Sequence, residues 1–161
     1  MNQAEVLTPL RSERCGFLIG RVGKLASRRF AQALETIDLK PPHAAVLMTL
    51  RDGGALTQQA LGERLQMDPS NLVGVLNELE ENGWVLRRRD PADRRRHIVE
   101  ISNGGADRVA KVEGIVSGVE AELLSVLDER ERDLLRALLA RVIDAAAAED
   151  RDAEPTSPAA A

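Results

Sequence analysis

Residues 57–83 read TQQALGERLQMDPSNLVGVLNELEENG, and their spacing decides the fold. Thr57 is a residue type that caps helices, and Ala60, Leu61 and Leu65 follow it at helical intervals. Asp68-Pro69 then restarts the chain. Aspartate accepts hydrogen bonds from the unpaired N–H groups of a first turn, and proline at the first helical position sacrifices none. Leu72, Leu76 and Leu79, with Val75 beside them, give the second helix an apolar face; Ser70, Asn71, Val73, Gly74 and Asn77 fall largely elsewhere. Gly83 ends it. Two short helices across a tight turn, the second opening with small polar residues, form a helix-turn-helix pattern.

The next segment, RRRDPADRRRH at 87–97, gathers six arginines around Asp90 and Asp93 in a chain whose net charge is −4. Trp84–Arg88 and His97–Ile101 are short, partly β-branched runs, and Asp90-Pro91 is a turn start. This predicts a β-hairpin with a basic tip, hence a winged helix-turn-helix. The balancing acids lie elsewhere: from Glu113 onward there are twelve acidic residues and five arginines. The local basic projection, not the net charge, is the footprint for a polyanion.

Further out, residues 16–38 repeat apolar positions at Ile19, Val22, Ala26, Phe30, Leu34 and Ile37, a helical rhythm that Pro41-Pro42 interrupts. A shorter helix is expected from His43 to Leu50, closed by Asp52-Gly53-Gly54. Ser102 is placed to cap a long helix in which Val109, Val112, Val116, Val119, Leu123 and Val126 make a near-heptad seam. A last amphipathic segment carries Leu134, Leu135, Leu138, Leu139, Val142 and Ile143. The expected organisation is a mainly α fold with a small β-hairpin wing. Residues 1–40 and 102–150 form a dimerisation region, 41–101 the winged helix-turn-helix, and 151–161 a disordered tail. The apolar faces at the two chain ends exceed what so small a central module needs, which points to a homodimer.

Aromatic side chains are few, Phe17, Phe30 and Trp84, with no tyrosine, so aliphatic ridges must fill the core. No window has the apolar length of a membrane span, the N-terminus lacks the apolar core of a secretion signal, and Cys15 is the single cysteine. A cytoplasmic protein without membrane attachment is expected. His43 and His97 make no metal pattern with neighbouring carboxylates, and no phosphate-binding glycine loop, nucleophile elbow or triad is present. Neither enzyme activity nor a cofactor is expected.

The residues suit double-stranded DNA. A helix fits the major groove, where Asn71 and Asn77 offer amide donors and acceptors to base edges. Ser70, the N–H groups opening that helix, and Gln58 or Gln59 are candidates for phosphate. Arginines at the hairpin tip reach the minor groove or backbone, gaining most where the groove is narrow. A winged helix serving only as a non-catalytic protein-interaction module is the rival reading, and the arginine density argues against it.

The stretches GFLIGRVGKLASRRF and LTQQALGERLQMDPSNLVGVLNELEENGWVLRRRDPADRRRHIVEIS resemble the MarR family of transcriptional regulators, and the likeness runs from about Gly16 to Ala148. The resemblance implies a homodimer with interlocked terminal helices that binds pseudo-palindromic operators, most often as a repressor. It assigns Asp93 to shaping the wing, Arg95 to the minor groove and Arg94 to phosphate. It also places Ser70, Asn71, Val73 and Asn77 on the groove-facing side of the recognition helix. Many members release DNA on binding a small aromatic acid, phenol or drug-like molecule. The corresponding pocket implies Arg21 and His43 as polar contacts beside Val22, Leu25 and Leu47. Other members sense peroxide through a cysteine near the first helix. Cys15 sits one position before that place, which Gly16 occupies, and the supporting tyrosines are replaced by Gly20 and Ala44. A structural or incidental thiol is therefore the preferred reading of Cys15.

Overall fold

The computed structural model describes residues 14–91, 93 and 95–153. The N-terminal segment 1–13, Ala92, Arg94 and the tail from 154 onward lie outside the described residues. The elements are α1 (Cys15–Glu35), α2 (Pro41–Gly53), β1 (Leu56–Thr57), α3 (Gln58–Leu65), α4 (Pro69–Glu81), β2 (Val85–Arg89), β3 (His97–Ile101), α5 (Asn103–Leu123) and α6 (Glu129–Ala153). The chain divides into two compact units, the boundary falling between Glu120 and Ala121. The first holds everything from α1 to most of α5, and the second is dominated by α6.

The fold is mainly α-helical with a small antiparallel wing. Local chemistry explains its boundaries. Thr57 Oγ1 accepts from the Ala60 N–H at 3.2 Å, and Asp68 Oδ1 accepts from the N–H groups of Ser70 and Asn71 at 2.9 and 3.4 Å. Each such cap contributes about 1 kcal/mol to its helix. Between them Gln66 turns the chain in the left-handed region, φ 48°, so that α4 begins almost immediately after α3. Gly83, φ 71°, reverses the chain after α4, a conformation that glycine adopts without steric cost. Ser102 Oγ then accepts from the Gly105 N–H at 3.0 Å and donates to the Gly83 carbonyl at 2.6 Å, capping α5 while closing the loop behind the wing.

Four details depart from the sequence expectation. Helix α2 starts at Pro41 rather than His43. Both prolines fit its first turn, where a missing N–H removes no helical bond. The sheet has a third strand, in the order β1-β3-β2: Leu56 pairs with Val99 and Thr57 with Ile98. The valine seam is also interrupted, because α5 ends at Leu123 and Val126 lies exposed in the turn before α6. There Asp128 and Glu131 form a reciprocal cap that starts a new helix, each side chain accepting from the other's N–H at 2.9 Å. Helix α6 itself runs to Ala153 and so takes in the first three residues of the expected tail.

The core of the first unit joins Leu34 of α1, Val46, Leu47 and Leu50 of α2, Leu61 of α3, and Leu72, Leu76 and Leu79 of α4. Val85 and Val99 of the wing and Val112 of α5 complete it. These side chains are almost fully buried, and each is worth about 2 kcal/mol of apolar transfer free energy. The leucine stripe of α4 thus faces inward, which leaves its polar face outward. Among the described residues, no helix is long and apolar enough to cross a membrane.

Candidate nucleic-acid interface

Helix α4 presents Ser70, Asn71, Val73, Gly74 and Asn77 to the outside while its leucines hold it to the core. Asp68 organises the first turn. It takes the Ser70 hydroxyl as well as two backbone N–H groups, and these bonds, the Ser70 hydroxyl first, hold its carboxyl below the usual carboxylate range. Ser70 is therefore engaged with the cap, and Asn71 stands exposed one residue further on.

The wing is built from the register of β2 and β3, in which Val85 pairs with Ile101 and Arg89 with His97. Val85 and Val99 turn inward, so the pleat sends the arginines of β2 toward the surface or back toward α4. The turn is held by Asp93. Its Oδ1 accepts from the Arg95 N–H at 3.0 Å, its carbonyl accepts from the Arg96 N–H at 2.9 Å, and its Oδ2 meets Arg96 Nε at 3.4 Å. The Asp90 N–H donates to the Arg96 carbonyl at 3.0 Å and closes the hairpin.

The six arginines are not equivalent. Arg87 pairs with Glu80, Arg88 with Glu100 and Arg96 with Asp93, so part of the local positive charge is balanced within the module. The Glu80 carboxyl is held below its ordinary range chiefly by its hydrogen bond from Arg87. Arg95 is exposed, and it shares an open cleft of about 220 Å³ with Thr57, Gln58, Gln59, Arg96 and His97. The structure thus brings the start of α3 and the wing turn together. A larger cleft, about 620 Å³, runs between α3 and α4 past Gln58, Gln59, Gly62, Gln66, Met67 and Leu72.

The residues named for a small-molecule pocket separate into two groups. Arg21 and Leu25 line a shallow depression on α1 together with Lys24 and Arg28. Val22 is exposed on the same helix, whereas Leu47 is completely buried and His43 nearly so; none of the three lines that depression. Cys15 is exposed at the first residue of α1.

His43 has a structural occupation that sequence reading missed. Its Nδ1 accepts from the Lys40 N–H at 3.3 Å, which fixes the ring proton on Nε2, and Nε2 meets Glu78 Oε2 of α4 at 3.1 Å. Lys40 Nζ reaches the same carboxylate at 3.0 Å. The ring therefore ties the start of α2 to the outward-facing helix. Burial holds the His43 pKa below its ordinary 6.5, with Lys40 adding to the effect and Glu78 opposing it.

Between those two values the unfolded chain takes up a proton that the folded one refuses, so stability falls as pH drops below about 6.5. The loss is complete once pH is under the folded value. Glu78 and Glu80, held below their ordinary 4.5 by Lys40 and Arg87, add losses only at more acidic pH. Thermal denaturation across the mildly acidic range is expected to show this decline in the parent protein and a flatter profile in His43→Asn. An unchanged profile in the variant would place the titration elsewhere.

With this geometry in view, the comparisons with known proteins are direct. The MarR family model matches residues 39–97, the whole helix-turn-helix and most of the wing. A candidate transcriptional regulatory protein for the hcr operon of Thauera aromatica is 30% identical over 140 residues, 86% of this chain and 84% of its own length. The chain belongs to the MarR family. It is a DNA-binding transcriptional regulator of the MarR type, and members of this family are non-enzymatic.

Two solved structures extend the comparison. A cysteine-to-serine mutant of MarR from E. coli, in complex with operator DNA, is 27% identical with a TM-score of 0.70, over 88% of this chain and 99% of that one. BpsR of Bordetella bronchiseptica, whose DNA binding is regulated by 6-hydroxynicotinic acid, is 26% identical with a TM-score of 0.70. The match covers 83% of this MarR-family chain and 95% of BpsR.

Proposed function

We propose that the protein is a homodimeric repressor that binds a pseudo-palindromic operator and releases it when a small aromatic acid binds. The observation that carries the DNA reading is the placing of the Arg95 turn beside the start of α3, on a module whose adjoining helix α4 keeps its polar residues outward. Helix α4 enters the major groove with Asn71, Val73 and Asn77 toward base edges. Gln58, Gln59 and the N–H groups opening α3 hold phosphates, since those opening α4 are taken by Asp68. Arg95 enters the adjacent minor groove, Arg94 meets the backbone, and Asp93 fixes the turn that aims them. The complex of a similar chain with operator DNA supports operator binding by this fold.

The dimer reading rests on uncovered apolar helix faces. Phe17, Leu18, Ile19 and Val22 of α1 are exposed in the single chain, as are Leu134, Leu138, Val142 and Ile143 of α6. Exposed rows of this kind mark surfaces that a partner covers. In the proposed organisation residues 1–40 and 102–150 supply the dimer contacts and 41–101 read DNA.

For the effector, Arg21 and Leu25 offer a guanidinium and an apolar wall, joined by Lys24 and Arg28. These groups suit the carboxylate and ring of an aromatic acid. His43 and Leu47 are occupied in this conformation, so their part in such a site requires the start of α2 to move. Ligand control is then a shift between two arrangements of the DNA-reading helices.

Selection of genomic fragments with the purified protein, followed by footprinting, tests the reading. The expected outcome is protection of two half-sites about one helical turn apart by a dimer. Binding no tighter than to random duplex would overturn it.

A further inference from the structure

Arg87 lies on β2 opposite Val99, yet its side chain reaches back to the outward face of α4. Its Nε donates to Glu80 Oε2 at 2.8 Å, and its Nη2 contacts the same oxygen. That Nη2 also donates to Asn77 Oδ1 at 2.7 Å. Arg87 is half-buried and anchored by Glu80, whereas Asn77 is exposed.

The chemistry of the pair settles which way the amide points. A guanidinium has five donors and no acceptor, so only the amide oxygen of Asn77 satisfies it. The Nδ2 group must therefore turn away from Arg87. An unconstrained asparagine reads adenine with both ends of its amide, accepting from N6 and donating to N7. Oδ1 keeps a second lone pair, but with a cation already on the first it is the weaker acceptor for adenine N6, and the polarised Nδ2 group is the stronger donor. Guanine shows two adjacent acceptors, O6 and N7, in the same groove, whereas cytosine shows a donor.

We infer that Arg87 is a positioning residue for base specificity, holding Asn77 as a hydrogen-bond donor so that it selects guanine over adenine at one operator position. The inference rests on the DNA-reading role proposed for α4. Arg87 acts through Asn77 and touches no base itself. The wing strand thereby sets what the recognition helix reads.

Selection from a randomised duplex library, run with the full-length protein and its variants, tests this. Asn77→Ala is expected to erase the base preference at one position per half-site and so identify it. At that position the parent protein selects guanine. Arg87→Met releases the amide and shifts the guanine-to-adenine ratio by about tenfold toward adenine. Arg87→Lys is the second variant should the first fail to fold. Lysine pairs with Glu80 but lacks the fork that spans both residues, and the same shift is expected. Glu80→Gln leaves the contact between Arg87 and Asn77 and keeps guanine.

An identical base preference in parent and Arg87 variants overturns the inference. So does an Asn77→Ala protein that binds DNA with every preference intact. A parent protein that selects no sequence at all defeats instead the DNA reading beneath it.

Discussion

Gly105→Ala is expected to destabilise the fold by about 3 kcal/mol, the upper part of the range for forced overpacking. A Cβ at that position would stand 2.0 Å from the Trp84 carbonyl oxygen and 2.7 Å from Ile101 Cγ1. The carbonyl cannot simply swing aside, because it accepts the Ser102 N–H at 3.1 Å, the bond that joins the two ends of the wing. Trp84 is further held by Arg108, whose guanidinium lies 4.5 Å from the ring centroid and whose Nη1 donates to the Ile37 carbonyl at 2.6 Å. One methyl group thus loads the entry to the wing, the start of α5 and the loop after α1 together. Gly104→Ala is the control. Its nearest neighbour would be 3.4 Å away, so the lower backbone entropy of alanine in a helix roughly offsets any crowding. Thermal or urea unfolding of the pair checks the argument, and equal stabilities would mean that the close approach of α5 to β2 relaxes without cost.

The residues that make the fold legible are those whose chemistry is local. Asp68-Pro69, Thr57, Gly83 and Ser102 announce turns and caps within three or four positions of themselves, and each occupies that place in the structure. What escapes reading depends on chain segments far apart. Leu56-Thr57 becomes a strand only because β3, some forty residues later, offers it a ladder. The pairing of Arg87 with Glu80 and of Arg88 with Glu100 follows from hairpin register and from how the wing folds against α4. Neither is written in the RRR run itself. His43 enters the sequence reading as a polar contact of the pocket that the resemblance implies, but its tie to Glu78 needs the packing of α2 against α4. The seam breaks before Val126 because periodicity alone does not register a reciprocal cap, here Asp128 with Glu131, that restarts the helix.

The uneven engagement of the arginines leads to the largest expected functional effect. Arg95→Ala should weaken operator binding by about 2 kcal/mol per wing, the scale of a charged hydrogen bond, which is roughly thirtyfold. The fold should not notice. The Arg95 side chain is exposed, and the bond that shapes the turn comes from its backbone N–H, which alanine retains. Arg88→Ala removes the same formal charge, but that guanidinium is already paired with Glu100. It should therefore cost far less affinity. Salt dependence separates the two further: each phosphate neutralised contributes about 0.9 to the slope of log affinity against log salt. A cation held in the minor groove also displaces condensed counterions, so the slope should drop by up to about that amount for each Arg95 removed and change little for Arg88. Titrations of an operator fragment at several salt concentrations measure both quantities at once. Should Arg88→Ala lose as much affinity and slope as Arg95→Ala, the wing would be acting as an undifferentiated positive patch, and the ion pairs within it would not decide which guanidinium reaches the DNA.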